Sequence, residues 1–260
     1  MKGIKQDKLT IVKVGGAIVE DEEQLAPFLQ NVSSIRGRKV LVHGGGRQAT
    51  KIASLLGIET KMIDGRRITD ASMLEIVTMV YGGLVNKNIV SKLQAIGVNA
   101  IGLTGADGNI ITAHRRPVID GIDFGFVGDV NNVNHLVLKK FIENGTPIIA
   151  PLTHDGNGNL LNTNADTIAS AIARSLSLYY DVTLIYCFEK KGVLYNPQDD
   201  ESVIPTITHA DFIKYKADGI IAGGMLPKLE NAFSAIDAGV SRVIITQATD
   251  IDGKQGTIIS

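Results

Sequence analysis

The sequence predicts an α/β fold built on a mainly parallel sheet, and three observations carry that prediction. Strand and helix signals alternate along almost the whole chain. Two β-branched apolar runs, Leu9-Thr10-Ile11-Val12 and Lys39-Val40-Leu41-Val42, end at the glycine turns Lys13-Val14-Gly15-Gly16 and His43-Gly44-Gly45-Gly46. Short apolar runs punctuated by glycine are the pattern of strands buried on both faces. Glycine is also abundant, 28 of 260 residues, which suits tight strand–helix turns. With 44% hydrophobic residues, a chain of this length can bury a sizeable core.

The elements follow in order. After the first turn, Asp21 to Ile35 carries Leu25, Phe28, Leu29 and Val32 at helical spacing. After the second, Arg47 to Leu56 reads as a helix ended by Gly57. Thr69 or Asp70 can cap a long helix whose apolar residues include Met73, Ile76, Val77, Val80, Leu84, Ile89, Val90 and Leu93. That face suits either a core or a subunit interface, and Gly82-Gly83 in its middle suggests a close helix crossing. Ile111 to Val130 alternates short apolar pairs with Gly and Asp, which predicts β-hairpins over a face of the sheet. A buried strand follows at Pro147–Ala150, then a helix capped by Asn164 and bearing Ile168, Ala169, Ile172 and Leu176. Val182 to Phe188 reads as a strand, Met225 to Ala238 as a helix and Arg242 to Thr246 as a further strand. No low-complexity linker or repeat divides the chain, so one domain over 1–260 is expected, with lobes of about 1–165 and 166–260.

Composition excludes several classes of function. Basic and acidic residues nearly balance, 26 against 27, and are scattered, so nothing marks a nucleic-acid surface. The single cysteine, Cys187, lies in an apolar run and has no internal disulfide partner, and no Cys/His spacing suggests zinc. The first residues carry no apolar signal core and no run reaches membrane-span length, which predicts a cytoplasmic protein without a membrane partner.

The chemistry gathers around cations. Lys13 shares a strand face with Leu9 and Ile11, so its ammonium enters a mostly buried setting and needs an anion or a route to water. Backbone amides of glycine turns at a strand's carboxyl end can approach an anionic ligand closely. Lys228 lies in the first turn of a helix opened by Gly223-Gly224-Met225-Leu226-Pro227, just beside the apolar stripe. A cation there opposes the helix dipole, and a bound phosphate would remove the conflict; an ordinary solvated lysine is the plainer reading. Asp166, after the Asn164 cap, is either a dipole-stabilising carboxylate or a holder of the lysines. Gly65-Arg66-Arg67 offers a guanidinium fork for a substrate carboxylate, or simply surface arginines.

One competing pattern is a dehydrogenase fingerprint. Gly44-x-Gly46-x-x-Ala49 follows a strand, and Asp64 falls where a dinucleotide-binding fold places its ribose-binding acid. That reading leaves Lys13, Lys228 and the first glycine turn without a role, and no P-loop sequence is present.

Five markers taken together resemble the amino-acid kinase family, and within it the acylglutamate kinases: Lys13-x-Gly15-Gly16, His43-Gly44-Gly45-Gly46, Gly65-x-Arg67-x-Thr69, Asn162-x-Asn164-Ala165-Asp166 and Gly223-Gly224-Met225-x-Pro227-Lys228. The resemblance implies a three-layer sandwich, a central, mainly parallel sheet of about eight strands between helices. It implies an N-terminal lobe for the acid and dimerisation and a C-terminal lobe for ATP. Gly45 and Gly46 would hold the substrate's side-chain carboxylate region, and Arg67 and Asn162 its α-carboxylate and acylamide. Lys13 and Lys228 would bind the transferring phosphoryl group, with Asp166 organising both, and Gly15, Gly16, Glu189 and Gly224 would line the nucleotide site. The implied reaction is ATP-dependent phosphorylation of N-acetyl-L-glutamate, or of N-succinyl-L-glutamate, on the side-chain carboxylate, a step of arginine biosynthesis. Mg²⁺ would be held mainly by the phosphates, with no protein metal ligands. A non-catalytic sensor on the same fold, or another kinase of the family, is the alternative. The chain departs from the family in two places. Phe188-Glu189 stands where a small hydroxyl followed by Asp is usual, and few residues precede Lys13, which leaves no room for the helix that links dimers into arginine-inhibited hexamers. A homodimer is expected, with the apolar face of the helix starting near Ala71 packed on its symmetry mate at Gly82-Gly83.

Overall fold

A computed structural model of the chain describes residues 7–63, 65–252 and 255–260. The dinucleotide-type acid Asp64 and the first residues, on which the signal-segment and linking-helix readings rest, lie outside the described residues.

Eight strands form the central sheet: β1 (Lys8–Val14), β2 (Arg38–His43), β3 (Ala100–Leu103), β4 (Thr146–Ile149), β5 (Asp181–Phe188), β6 (Thr206–Ile207), β7 (Arg242–Gln247) and β8 (Thr257–Ile259). Their order is β6-β8-β7-β5-β1-β2-β4-β3, and every neighbouring pair is parallel except β7–β8. Strand alternation sends its side chains to two separate cores. On one face Leu9, Ile11, Val40, Val42, Leu184 and Val243 pack under the helices His135–Asn144, Ala165–Leu176 and Met225–Asp237. On the other, Val12, Val14, Leu41, Ile185 and Ile244 pack under Glu22–Ser34, Gly46–Leu55 and the helical stretch from Ala71 to Ala95. The three-layer sandwich is therefore the observed architecture.

Local chemistry explains where the helices begin. Asp21 accepts from the Glu23 and Gln24 amides, Asp70 from Met73, and Asn164 from Thr167, each satisfying a donor the helix leaves free. Gly57, at φ 71°, follows the helix Gly46–Leu55 in the left-handed conformation expected beyond a helix end.

Two expectations change. The Ile111–Val130 segment does pair as an antiparallel hairpin, but that hairpin is part of a separate barrel. Its strands Ile111–Arg115 and Val127–Val133 close into a small barrel with Leu152–His154 and Leu160–Thr163, because their free edges pair with strands that arrive after β4. The long helix is interrupted by a π-helical stretch, Thr78–Val85, around Gly82-Gly83. Most of the apolar face predicted for it, Met73, Ile76, Val77, Val80, Ile89 and Leu93, is core of the same chain, and Leu84 is the exposed member. A Cβ at Gly82 would touch Leu152 at 3.4 Å, whereas one at Gly83 would meet open space.

Candidate active site

Both glycine turns sit at the carboxyl ends of adjacent central strands, and they abut. Gly44 N–H donates to Val14 O at 3.0 Å, and Gly15 N–H to Cys187 O at 3.2 Å. A Cβ on Gly44 would lie 2.9 Å from the Gly16 nitrogen, and one on Gly45 would lie 3.0 Å from the Tyr81 ring. Close approach of backbone, more than freedom of φ, is what demands glycine there. The helix Gly46–Leu55 starts from this turn with no cap from its own sequence and no acid in its first turn; the Glu20 carboxylate instead accepts from the Arg47 and Gln48 amides.

His43 braces the second turn from inside the core. Its ring is fully buried, with Nδ1 2.7 Å from Gly44 O and Nε2 3.1 Å from Asn86 Nδ2. The Asn86 amide also donates to Ile148 O at 2.9 Å. Because Asn86 donates to Nε2, the neutral ring carries its proton on Nδ1 and donates to Gly44 O. Burial pushes the His43 pKa down to about 4.

Beside these turns lies a cavity of about 170 Å³ lined by Gly44, Gly45, Gly46, Gly65, Arg66, Arg67, Tyr81, Asn162 and Asn164, among others. Arg67 is only 7% exposed. Its Nη2 donates to Gly46 O at 2.8 Å and Thr50 Oγ1 at 2.9 Å, and its Nη1 to Thr60 Oγ1 at 3.2 Å. Each of these acceptors is neutral, so a buried guanidinium faces a cavity without a counter-charge among them. Asn162 Nδ2 donates to Thr69 Oγ1 at 2.9 Å. The barrel sets this spacing: Thr69 N–H donates to Phe124 O, and Phe126 O accepts from the Asn162 amide.

A larger cavity, about 570 Å³, adjoins it and shares Gly46 and Gly65. Lys13, Gly15, Gly16, Arg47, Phe188, Glu189, Met225 and Lys228 are among its walls. Lys13 Nζ lies 2.7 Å from Asp166 Oδ1, with both side chains largely buried. Lys228 Nζ stands 4.4 Å and Lys13 Nζ 4.9 Å from the centroid of the Phe188 ring. Burial and the Lys13 charge draw the Lys228 pKa below the usual lysine range, with desolvation the larger cause and Asp166 opposing it.

Most of the residues singled out in the sequence thus come together. Gly45, Gly46, Arg67 and Asn162 surround the smaller cavity, and Lys13, Lys228, Gly15, Gly16 and Glu189 the larger. Asp166 pairs directly with Lys13, while its effect on Lys228 is through its field. Gly224 is exposed at the start of the helix Met225–Asp237, and Met225 and Lys228 form that wall. Glu189 also bridges to Arg47, 3.0 Å across the mouth of the cavity. Sequence reasoning missed Tyr81 and Arg47, and read Phe188 only as a departure. Tyr81 reaches the site from the π-helical stretch, which periodicity does not reveal, whereas the position of Arg47 directly after Gly46 was a usable signal.

The model of the amino acid kinase family matches residues 8–247. Acetylglutamate kinase from Bacteroides fragilis (strain YCH46) is 62% identical over 260 residues, covering 100% of this chain and 99% of that protein. Acetylglutamate kinase from Methanopyrus kandleri (strain AV19) is 36% identical over 255 residues, 96% of this chain and 100% of that protein. Among solved structures, smu.665 from Streptococcus mutans UA159 superposes with a TM-score of 0.82 at 31% identity, covering 97% of this chain and 98% of that one. With two glycine turns, paired cavities and a full-length match in agreement, the chain belongs to the amino acid kinase family.

Proposed function

We propose that this chain phosphorylates the side-chain carboxylate of N-acetyl-L-glutamate with ATP, giving N-acetyl-L-glutamyl 5-phosphate in arginine biosynthesis. One observation carries the reading: an acid-sized cavity holding the buried Arg67, which has no ion pair among the described residues, meets a lysine-lined cavity across Gly46 and Gly65. Arg67 takes the substrate α-carboxylate and Asn162 the acylamide, which directs the side-chain carboxylate toward the Gly45 and Gly46 amides. That carboxylate is already ionised near neutral pH, so no general base is needed. Transfer then depends on in-line placement and on neutralising charge spread over the moving phosphoryl oxygens. Lys13 and Lys228 supply that charge, and Asp166 keeps Lys13 in place. Mg²⁺ enters with ATP, held chiefly by phosphate and water. Glu189 is the carboxylate among the cavity-lining residues. In this reading the acid lobe runs to about residue 165 and the nucleotide lobe follows.

The deciding assay is a hydroxylamine trap for acyl phosphate, run with ATP and Mg²⁺ and each candidate acid. Hydroxamate from N-acetyl-L-glutamate supports the reading, and hydroxamate only from aspartate or carbamate sinks it. N-succinyl-L-glutamate belongs in the same assay, because Arg66 also lines the acid cavity and could pair with a second carboxylate. The chain is further proposed to act as a homodimer through Met79 and Leu84, exposed beside the open Gly83. Light scattering should give a dimer mass; a monomer or a hexamer overturns that proposal.

A further inference from the structure

We infer that Phe188 is a positioning residue: its ring holds the Lys13 and Lys228 ammonium groups over one aromatic surface, leaving their protons free for the phosphoryl oxygens. This rests on the proposed role of the two lysines in transfer. Two ammonium groups drawn into one largely buried site repel each other, and a single carboxylate, Asp166, pairs directly with only one of them. A second acid at this point would relieve the repulsion but would compete with phosphate for the same N–H donors. An aromatic face does not compete in that way. Its quadrupole presents negative potential to a cation without accepting strong hydrogen bonds, and the attraction is largest where water is excluded. The ammonium nitrogens lie 4.4 Å and 4.9 Å from the ring centroid, inside the range of such contacts.

The ring is held in turn. Phe188 stacks on Tyr186, two residues back on β5, with an interplanar angle of 11° and centroids 6.3 Å apart. Tyr186 is fully buried, and its hydroxyl donates to the backbone carbonyl of Asp166 at 3.2 Å. It also lies in register opposite Lys13. Lysine, carboxylate, tyrosine and phenylalanine thus form a closed circuit, so a shift of the ring is felt by both cations. The charged groups acting on Lys228 here are Asp166, Lys13 and Glu189.

The test replaces Phe188 in the full chain with mono-, di- and trifluorinated phenylalanine, which keep ring shape while draining the π face, and adds Phe188→Tyr and Phe188→Leu. Lysine side-chain NMR reads the Lys228 pKa without substrate, and the hydroxamate assay reads kcat and KM. The Lys228 pKa should fall stepwise with fluorination, and kcat should fall with it to about tenfold below wild type at three fluorines, with KM for the acid unchanged. Phe188→Tyr should keep both near the wild-type values, and Phe188→Leu should match or exceed the trifluoro loss. A pKa and kcat indifferent to fluorination in an enzyme that turns over N-acetyl-L-glutamate overturn the inference alone. A stepwise pKa with no effect on kcat also overturns it, because the ring then grips the cations without serving transfer. No turnover of any acylglutamate by the wild type overturns the functional reading itself.

Discussion

Arg67 is the residue whose setting points most directly to an anionic ligand. Its charge is buried, the oxygens it donates to are neutral, and its cavity is walled by glycines, Arg66, Tyr81, Asn162 and Asn164 among others. Burying a guanidinium without a counter-anion is unfavourable, and an incoming carboxylate completes it. Arg67→Ala should raise KM for the acid by about 10- to 100-fold, the scale of a charge-assisted contact, and leave KM for ATP nearly unchanged. Steady-state kinetics with each substrate varied will show this, and equal changes in both constants would remove the assignment. Arg67→Lys should recover little, because an ammonium cannot reproduce the planar fork. Lys228 acts differently. Its charge matters most when charge develops on the moving phosphoryl group, so Lys228→Ala should lower kcat by on the order of 10²-fold or more. A folded Lys228→Ala enzyme with near-normal kcat would falsify that role.

At the scale of elements, the second glycine turn depends on a histidine that must stay neutral. His43 donates from Nδ1 to Gly44 O and accepts from Asn86, so protonation of Nε2 would set two donors against each other. Its folded pKa, about 4, lies below the unfolded histidine value of about 6.5. Below the unfolded value the unfolded chain binds a proton that the folded chain refuses, so stability falls as pH drops through this window and levels off beneath the folded value. The loss should be on the order of 3 kcal/mol for this fully buried ring. Urea unfolding at about pH 7 and about pH 4 will measure it, with His43→Gln as the reference. A variant that loses as much stability as the wild type over that interval would show that other groups set the dependence. Other elements illustrate what periodicity can and cannot report. The helix Glu22–Ser34 and its Asp21 cap were legible because cap and stripe are adjacent in sequence. The edge strand Ala100–Leu103 was not, because a short run interrupted by Gly102 shows no clear pattern. That glycine is required by tertiary contact alone: a Cβ would lie 2.1 Å from Asn86 Oδ1, on the side chain that holds His43.

At the scale of the molecule, the two halves are joined by the sheet itself. β1 pairs along its whole length with β5, from Lys8 opposite Asp181 to Val14 opposite Cys187, and β7 pairs with β5 on its other side. Strands from both sides of residue 165 therefore share two cores, one on each face. Separating the lobes would break the ladder and expose both cores at once, so unfolding should be cooperative. Near-ultraviolet and far-ultraviolet circular dichroism should report one coincident thermal transition. Two resolved transitions would mean that the lobes are independent units.

By itself the sequence determined the fold class, the order of the principal strands and helices, and most of the residues that line the two cavities. Those features are written locally, in runs, caps, glycine turns and five spaced motifs. Tertiary structure alone decided the rest. It closed Ile111–Arg115 into a barrel with strands that follow β4, because free edges pair wherever a partner arrives. It brought Tyr81 from a π-helical stretch against Gly45, left Gly224 outside the cavity wall, and placed both lysines over Phe188. Contacts between residues far apart in the chain leave no period in the sequence, and only the packed molecule shows which charges end up sharing one small volume.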